Sequence, residues 1–104
     1  MRKLPREEAL EVFHRGRLIA RPHVTLRFLK GGDGPRFVTV VGARVAPLAV
    51  ERNAVRRRLR AALREALMQA PVSVSGAVVA TERTAEASTR ELTEELIAMF
   101  HTLS

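Results

Sequence analysis

Three histidines, His14, His23 and His101, are the first side chains to test for metal or acid–base chemistry, and no two are spaced to share a helical face. Glu7, Glu8 and Glu11 fall on an expected N-terminal helix, where the helix dipole and solvent account for them. Glu94 and Glu95 belong to an acidic C-terminal helix and are expected to be solvated. Ser73, Ser75 and Ser88 have no histidine at a readable spacing, and Ser88 is expected to be used as a helix cap. The GGDG run at 31–34 lacks the Lys and Ser/Thr of a phosphate-binding loop and reads as a turn. There is no cysteine, which removes disulfides, thiolate nucleophiles and zinc ribbons together. No catalytic residue and no protein-borne metal site is expected.

What remains is a concentration of arginine. Residues 49–67, AVERNAVRRRLRAALREAL, carry Arg52, Arg56, Arg57, Arg58, Arg60 and Arg64, with no lysine and no acid between Arg52 and Arg64. The net charge of +7 is polarised: residues 1–65 hold 16 basic against 6 acidic side chains, residues 66–104 hold 2 against 5. Such a distribution suits a polyanion. Only Lys3 and Lys30 are lysines, and arginine's planar fork matches phosphate and stacks on bases.

On a helix turning about 100° per residue, Val55, Leu59, Ala62, Leu63 and Ala66 form one apolar face. Asn53, Arg57, Arg60 and Arg64 form a stripe about 60° wide opposite it, flanked by Arg56, with Arg58 on the other flank. Arg52 falls near the apolar face, so it needs either different geometry at the helix start or a specific partner. Surface helices usually mix signs, because like charges at i,i+4 repel. A membrane-surface helix is disfavoured, since the apolar face lacks aromatics and the core needs it. Duplex DNA reading lacks the polar variety used on base edges, Asn53 apart, and the sequence offers no dimer seam. Structured RNA, recognised by shape and backbone, fits better.

The elements that position this stripe follow from local signals. LPREEALEVFHRG reads as a helix with Pro5 at its first position, Gly16 at its end and Ala9, Leu10 and Phe13 as its apolar stripe. HVTLRFLK alternates as a half-buried strand, GGDGP at 31–35 is a loop, and RFVTVVGARV is a β-rich run with Gly42 as a candidate bulge or close approach. The arginine helix opens near Pro47 and runs to about Gln69. SVSGAVVAT supplies a strand centred on Val78 and Val79, and a Ser88–Glu91 capping box opens a last helix carrying Leu92, Leu96, Met99, Phe100 and Leu103. The order α-β-β-α-β-α gives one α+β sandwich domain over residues 1–104. No apolar run fits a signal peptide or membrane span, so a cytoplasmic protein with no membrane and no obligate protein partner is expected.

ARVAPLAVERNAVRRRLRAALREAL, residues 43–67, resembles the signature of the bacterial ribonuclease P protein component at Arg44, Val45, Ala49, Val50, Arg52, Asn53, Arg56, Arg57, Leu59 and Arg60. EVFHRGR, residues 11–17, is similar to a second family segment at Phe13, Gly16 and Arg17. The pattern departs at Ala54, where a third member of an Arg-Asn-Arg triplet is usual, and at Ala9 and Arg27, near positions often aromatic. The resemblance implies a small mixed sheet with a left-handed β-α-β crossover. It also implies a subunit that binds a catalytic RNA and the single-stranded 5′ leader of precursor tRNA, with the chemistry and the Mg²⁺ belonging to the RNA. Carried over, Arg44, Arg52, Asn53, Arg56, Arg57, Arg60 and Arg64 hold the catalytic RNA, while Phe13, Arg17 and Arg27 line the leader path. With Ala9 and Arg27 in place of aromatics, leader binding is expected to lean on electrostatics. The alternative is a structural or chaperone-like RNA-binding protein, ribosome-associated, with no role in cleavage.

Overall fold

Alternation in two strands sorts the molecule into layers. In β3 (Val24–Lys30), Val24, Leu26 and Phe28 point one way and Thr25, Arg27 and Leu29 the other. In β5 (Val74–Ala80), Val74, Val78 and Ala80 share the first face, while Ala77 and Val79 share the second. The computed structural model describes residues 2–30 and 34–103. Around these two strands it places β1 (Arg2–Lys3), α1 (Arg6–Arg15), β2 (Arg17–Ala20), β4 (Arg36–Val40), α2 (Ala49–Gln69) and α3 (Thr89–His101). The sheet order is β1-β4-β5-β3-β2. β4 pairs in parallel with both β1 and β5, and β3 pairs antiparallel with β5 and β2, so the sheet is mixed. α2 is the crossover between the adjacent parallel strands β4 and β5.

The principal core lies between the sheet and the α2–α3 pair. Val55, Leu59, Ala62, Leu63 and Ala66 of α2 are all buried, as the helical spacing requires, together with Leu92, Leu96, Met99 and Phe100 of α3. The α3 capping box forms in full: the Ser88 hydroxyl accepts from the Glu91 amide, and the Glu91 carboxylate accepts from the Ser88 amide. Those bonds from Ser88 hold the Glu91 carboxyl below its ordinary range, the backbone amide contributing most. The smaller core under α1 contains Leu4, Val12 and Ala77.

Several expectations are corrected here. The sheet has two more strands than expected, because β1 is two charged residues and β2 is a short, largely exposed edge strand. Val12, not Leu10 or Phe13, is the fully buried residue of α1; Ala9 is half-buried and the other two are exposed. Pro5 caps the helix from just outside it. Gly42 follows β4 in a turn with open space around it, and is neither a bulge nor a close approach. Glu95 is not solvated: it accepts from the His23 amide at 3.2 Å and meets His23 Nδ1 at 2.5 Å, tying α3 to the turn before β3. Of the loop expected at 31–35, residues 31–33 lie outside the described residues.

Gly76 marks the tightest sheet contact. It stands in register with Phe37 of β4, and a Cβ there would come within 2.6 Å of the buried Phe37 ring. That ring in turn packs on Phe100 of α3, with centroids 5.9 Å apart, so it has little room to yield. Gly76→Val is expected to cost about 1–3 kcal/mol of stability in urea unfolding. Adding Phe37→Leu should recover part of that loss; a Gly76→Val protein as stable as the parent would contradict the packing account.

Candidate nucleic-acid interface

The packing of α2 decides which arginines reach solvent. Asn53, Arg56, Arg57, Arg60, Ala61 and Arg64 line an open trough of about 460 Å³ along the side of the helix away from the core. Asn53, Arg57, Arg60 and Arg64 are exposed, and Arg56 is half-buried with its guanidinium donating to the Asn53 side-chain oxygen at 3.0 Å. No carboxylate lines the trough. Arg52, Arg56, Arg60 and Arg64 also form an i,i+4 series of like charges, whose three contacts disfavour the isolated helix by roughly 1 kcal/mol in all. Burial of Leu59 and Leu63 alone outweighs this, at about 1.5–3 kcal/mol for each side chain.

The remaining arginines of α2 turn inward. Arg52 donates to the carbonyls of Ala46 and Pro47 at 3.1 and 2.8 Å, which is the specific partner its angular position required. Those bonds fasten the turn ahead of α2, where Leu48 at the N-cap offers no side-chain cap. Arg58 donates to the carbonyls of Ala85 and Ala87 at 3.3 and 2.9 Å, tying α2 to the segment that leads into α3. Arg44 is exposed in the turn between β4 and α2.

A second surface lies on the other face of the sheet. An open groove of about 490 Å³ runs between α1 and the β1–β4 edge, lined by Lys3, Leu4, Arg6, Ala9, Phe13, Val38 and Val40. Phe13 is 37% exposed, and the Arg27 guanidinium carbon lies 5.8 Å from its ring centroid, within cation–π range. Arg27 Nη1 also donates to the Phe13 carbonyl at 3.4 Å. The structure therefore brings Phe13 and Arg27 together. It does not bring Arg17 to them: Arg17 stands in register with Phe28, whose side chain is on the α2–α3 face, so Arg17 leaves the sheet on the opposite side from Arg27.

Val38 and Val40, the apolar floor of this groove, and Arg6 at its margin were not singled out by the sequence reading. The alternation in RFVTV carried the signal, since Phe37 inward places Val38 and Val40 on the other face. Among the described residues no three His, Asp or Glu side chains come together as a metal site requires. Nor, among the described residues, is any helix long and apolar enough to cross a membrane.

Comparison with known proteins agrees with this architecture. The ribonuclease P protein of Thermotoga maritima superimposes with a TM-score of 0.81 at 21% identity, covering 100% of this chain and 99% of that one. The Staphylococcus aureus ribonuclease P protein superimposes with a TM-score of 0.75 at 14% identity, covering 99% and 94%. At these identities the likeness shows the fold. No curated protein matches this chain in sequence. The family model for ribonuclease P, however, matches residues 4–104, nearly the whole sequence. The chain thus belongs to the ribonuclease P protein family, and its role is that of the protein subunit of the RNA-based endoribonuclease that matures the 5′ ends of tRNA.

Proposed function

We propose that the trough on α2 is the face that meets the catalytic RNA. The observation that carries this reading is the acid-free trough of Asn53, Arg56, Arg57, Arg60 and Arg64 on a helix whose other side is fixed in the core. Several guanidinium groups on one rigid helix can each replace condensed counterions on a phosphate backbone, which makes binding tight and steeply salt-dependent. Arg56 and Asn53 brace each other, so the first turns of the stripe present a preset arrangement. Arg52 sets the entry of the helix and adds its charge, and Arg44 extends the face from the preceding turn.

The precursor-tRNA leader is assigned to the groove beside α1. A single strand needs positive charge and a flat surface for its bases. Arg27 lying over Phe13 offers both at one point, and Phe13 in turn lines the groove together with Val38 and Val40. Arg17, on the opposite face, takes part only through the field it adds at the sheet edge. The Mg²⁺ of the holoenzyme belongs mainly to the RNA in this reading, as the family's RNA-based chemistry implies. A cytoplasmic location, with RNA subunit and precursor tRNA as partners, belongs to the same reading.

Charge reversal at Arg57 and Arg60 tests the first assignment. The double variant Arg57→Glu/Arg60→Glu is expected to weaken RNA-subunit affinity at least tenfold and to flatten the plot of log affinity against log salt by about two. Unchanged affinity and slope would remove α2 from the interface. The leader assignment is read separately, from Arg27→Ala assayed on precursors with long and absent leaders. The variant should lose most of the affinity gained by lengthening the leader, roughly three- to tenfold. An equal loss on leaderless tRNA would contradict it.

A further inference from the structure

Helix α1 lies on the sheet with a thin apolar anchor. Val12 is its fully buried side chain, set against Leu4 and Ala77, and the helix packs chiefly on β5 and β3. The β4 side is less covered, so Val38 and Val40 line the groove beside the helix. Two arginines of the sheet hold α1 by polar contacts. Arg27 donates to the Phe13 carbonyl in the last turn at 3.4 Å. Arg36, the first residue of β4, reaches Glu8 in the first turn, its Nη1 lying 3.3 and 3.2 Å from the two carboxylate oxygens. This pair is partly sheltered, the Arg36 and Glu8 side chains being 19% and 45% exposed.

The two sides of α1 are not equivalent. Arg6, Ala9 and Phe13 line the groove. At about 100° per residue, Glu8 stands roughly 100–160° around the helix from all three. Arg36 shares one face of β4 with Val38 and Val40, since Phe37 between them belongs to the α2 core. Along that strand it precedes Val38 by about 7 Å and Val40 by about 13 Å. The ion pair therefore grips α1 from the side away from the groove. Hydrophobic contact is non-directional, so one buried valine sets how closely α1 approaches the sheet but does little to stop it sliding. A charge-assisted bond is directional and fixes where the helix stands. A half-exposed pair adds little to global stability, so its effect falls on position.

We propose that Glu8 and Arg36 are positioning residues for single-stranded RNA: their ion pair holds α1 back from Val38 and Val40 and so keeps the groove wide enough for a base beside Phe13. The inference rests on the reading of this groove as the leader site, and adds how its width is set. Neither residue lines the groove; both act through α1. An acid near a site for RNA is otherwise unfavourable, since it lowers the positive potential that draws the strand in.

The test uses the holoenzyme reconstituted with a bacterial ribonuclease P RNA, and precursor tRNAs with a long leader and with none. Glu8→Gln is the informative variant, because charge and position predict opposite signs. Removing an acid raises the positive field, so a purely electrostatic role predicts equal or tighter leader binding. The positioning account predicts a loss of roughly three- to tenfold in the affinity gained from the leader, with affinity for leaderless tRNA and for the RNA subunit unchanged. Arg36→Gln should lose at least as much, and adding Glu8→Gln to it should lose nothing further, as coupled partners require. In the free protein, the Val40 methyl resonances should shift in Glu8→Gln as the Phe13 ring moves relative to them, while those of Val24, in the core on the other face, stay in place. A leader gain kept by Glu8→Gln, an equal loss on leaderless tRNA, or unmoved Val40 methyls each overturn the proposal. Failure of the leader reading itself shows separately: Arg27→Ala then also keeps its leader gain, whereas loss with Arg27→Ala but not with Glu8→Gln removes only the positioning role.

Discussion

The packing of one face of α2 is the constraint on which the rest depends. Val55, Leu59, Ala62, Leu63 and Ala66 are buried against the sheet and α3, which fixes the rotation of the helix about its axis. Once that rotation is fixed, so is the direction of every arginine on it. The like-charged i,i+4 series would disfavour this helix in isolation. In the folded chain the apolar face offsets that repulsion, and the positive potential is held in place before any ligand arrives. A preset cationic surface loses less entropy on binding than a flexible basic tail, which must order itself on its target.

The same helix divides its arginines between two tasks. Arg52 and Arg58 bind carbonyls of neighbouring segments, one at the turn before α2 and one at the approach to α3. Arginine suits this work because its charge stays fixed and its donors are directional, so it can satisfy carbonyls that no helix cap reaches. Arg57, Arg60 and Arg64 make no such bonds among the described residues and face the trough. A run of arginines that looks uniform in sequence is therefore two braces and an exposed cationic face. The sheet separates this face from the groove beside α1, so the two surfaces are physically distinct.

Much of this was legible from spacing alone. The five buried positions of α2, the Ser88–Glu91 box and the apolar positions of α3 all follow from helical period and cap chemistry. The need of Arg52 for a partner also followed from its angle on the wheel, although the identity of the partner did not. Gly16 was placed correctly at the end of α1, but its reason lies elsewhere: its backbone is extended, with φ −74°, and a Cβ would press on the Val12 and Phe28 carbonyls. What sequence could not carry were features set by tertiary neighbours. β1 and β2 are too short and too exposed to show a period, and they exist because β4 and β3 offer free edges. The choice between Val12 and Phe13 as the buried residue of α1 depends on how the helix crosses the sheet, which four apolar residues in ten cannot settle. The burial of Glu95 depends on His23, 72 residues away.

The central claim is that the cationic face of α2 serves a catalytic RNA, and one measurement tests it most directly. Precursor-tRNA cleavage by a bacterial ribonuclease P RNA is followed at low Mg²⁺, with and without this protein. The account predicts strong stimulation by the protein, with cleavage at the mature 5′ end, and loss of that stimulation on charge reversal along α2. Tight, salt-sensitive RNA binding without any stimulation would contradict it, and would leave a structural RNA-binding protein built on the same fold.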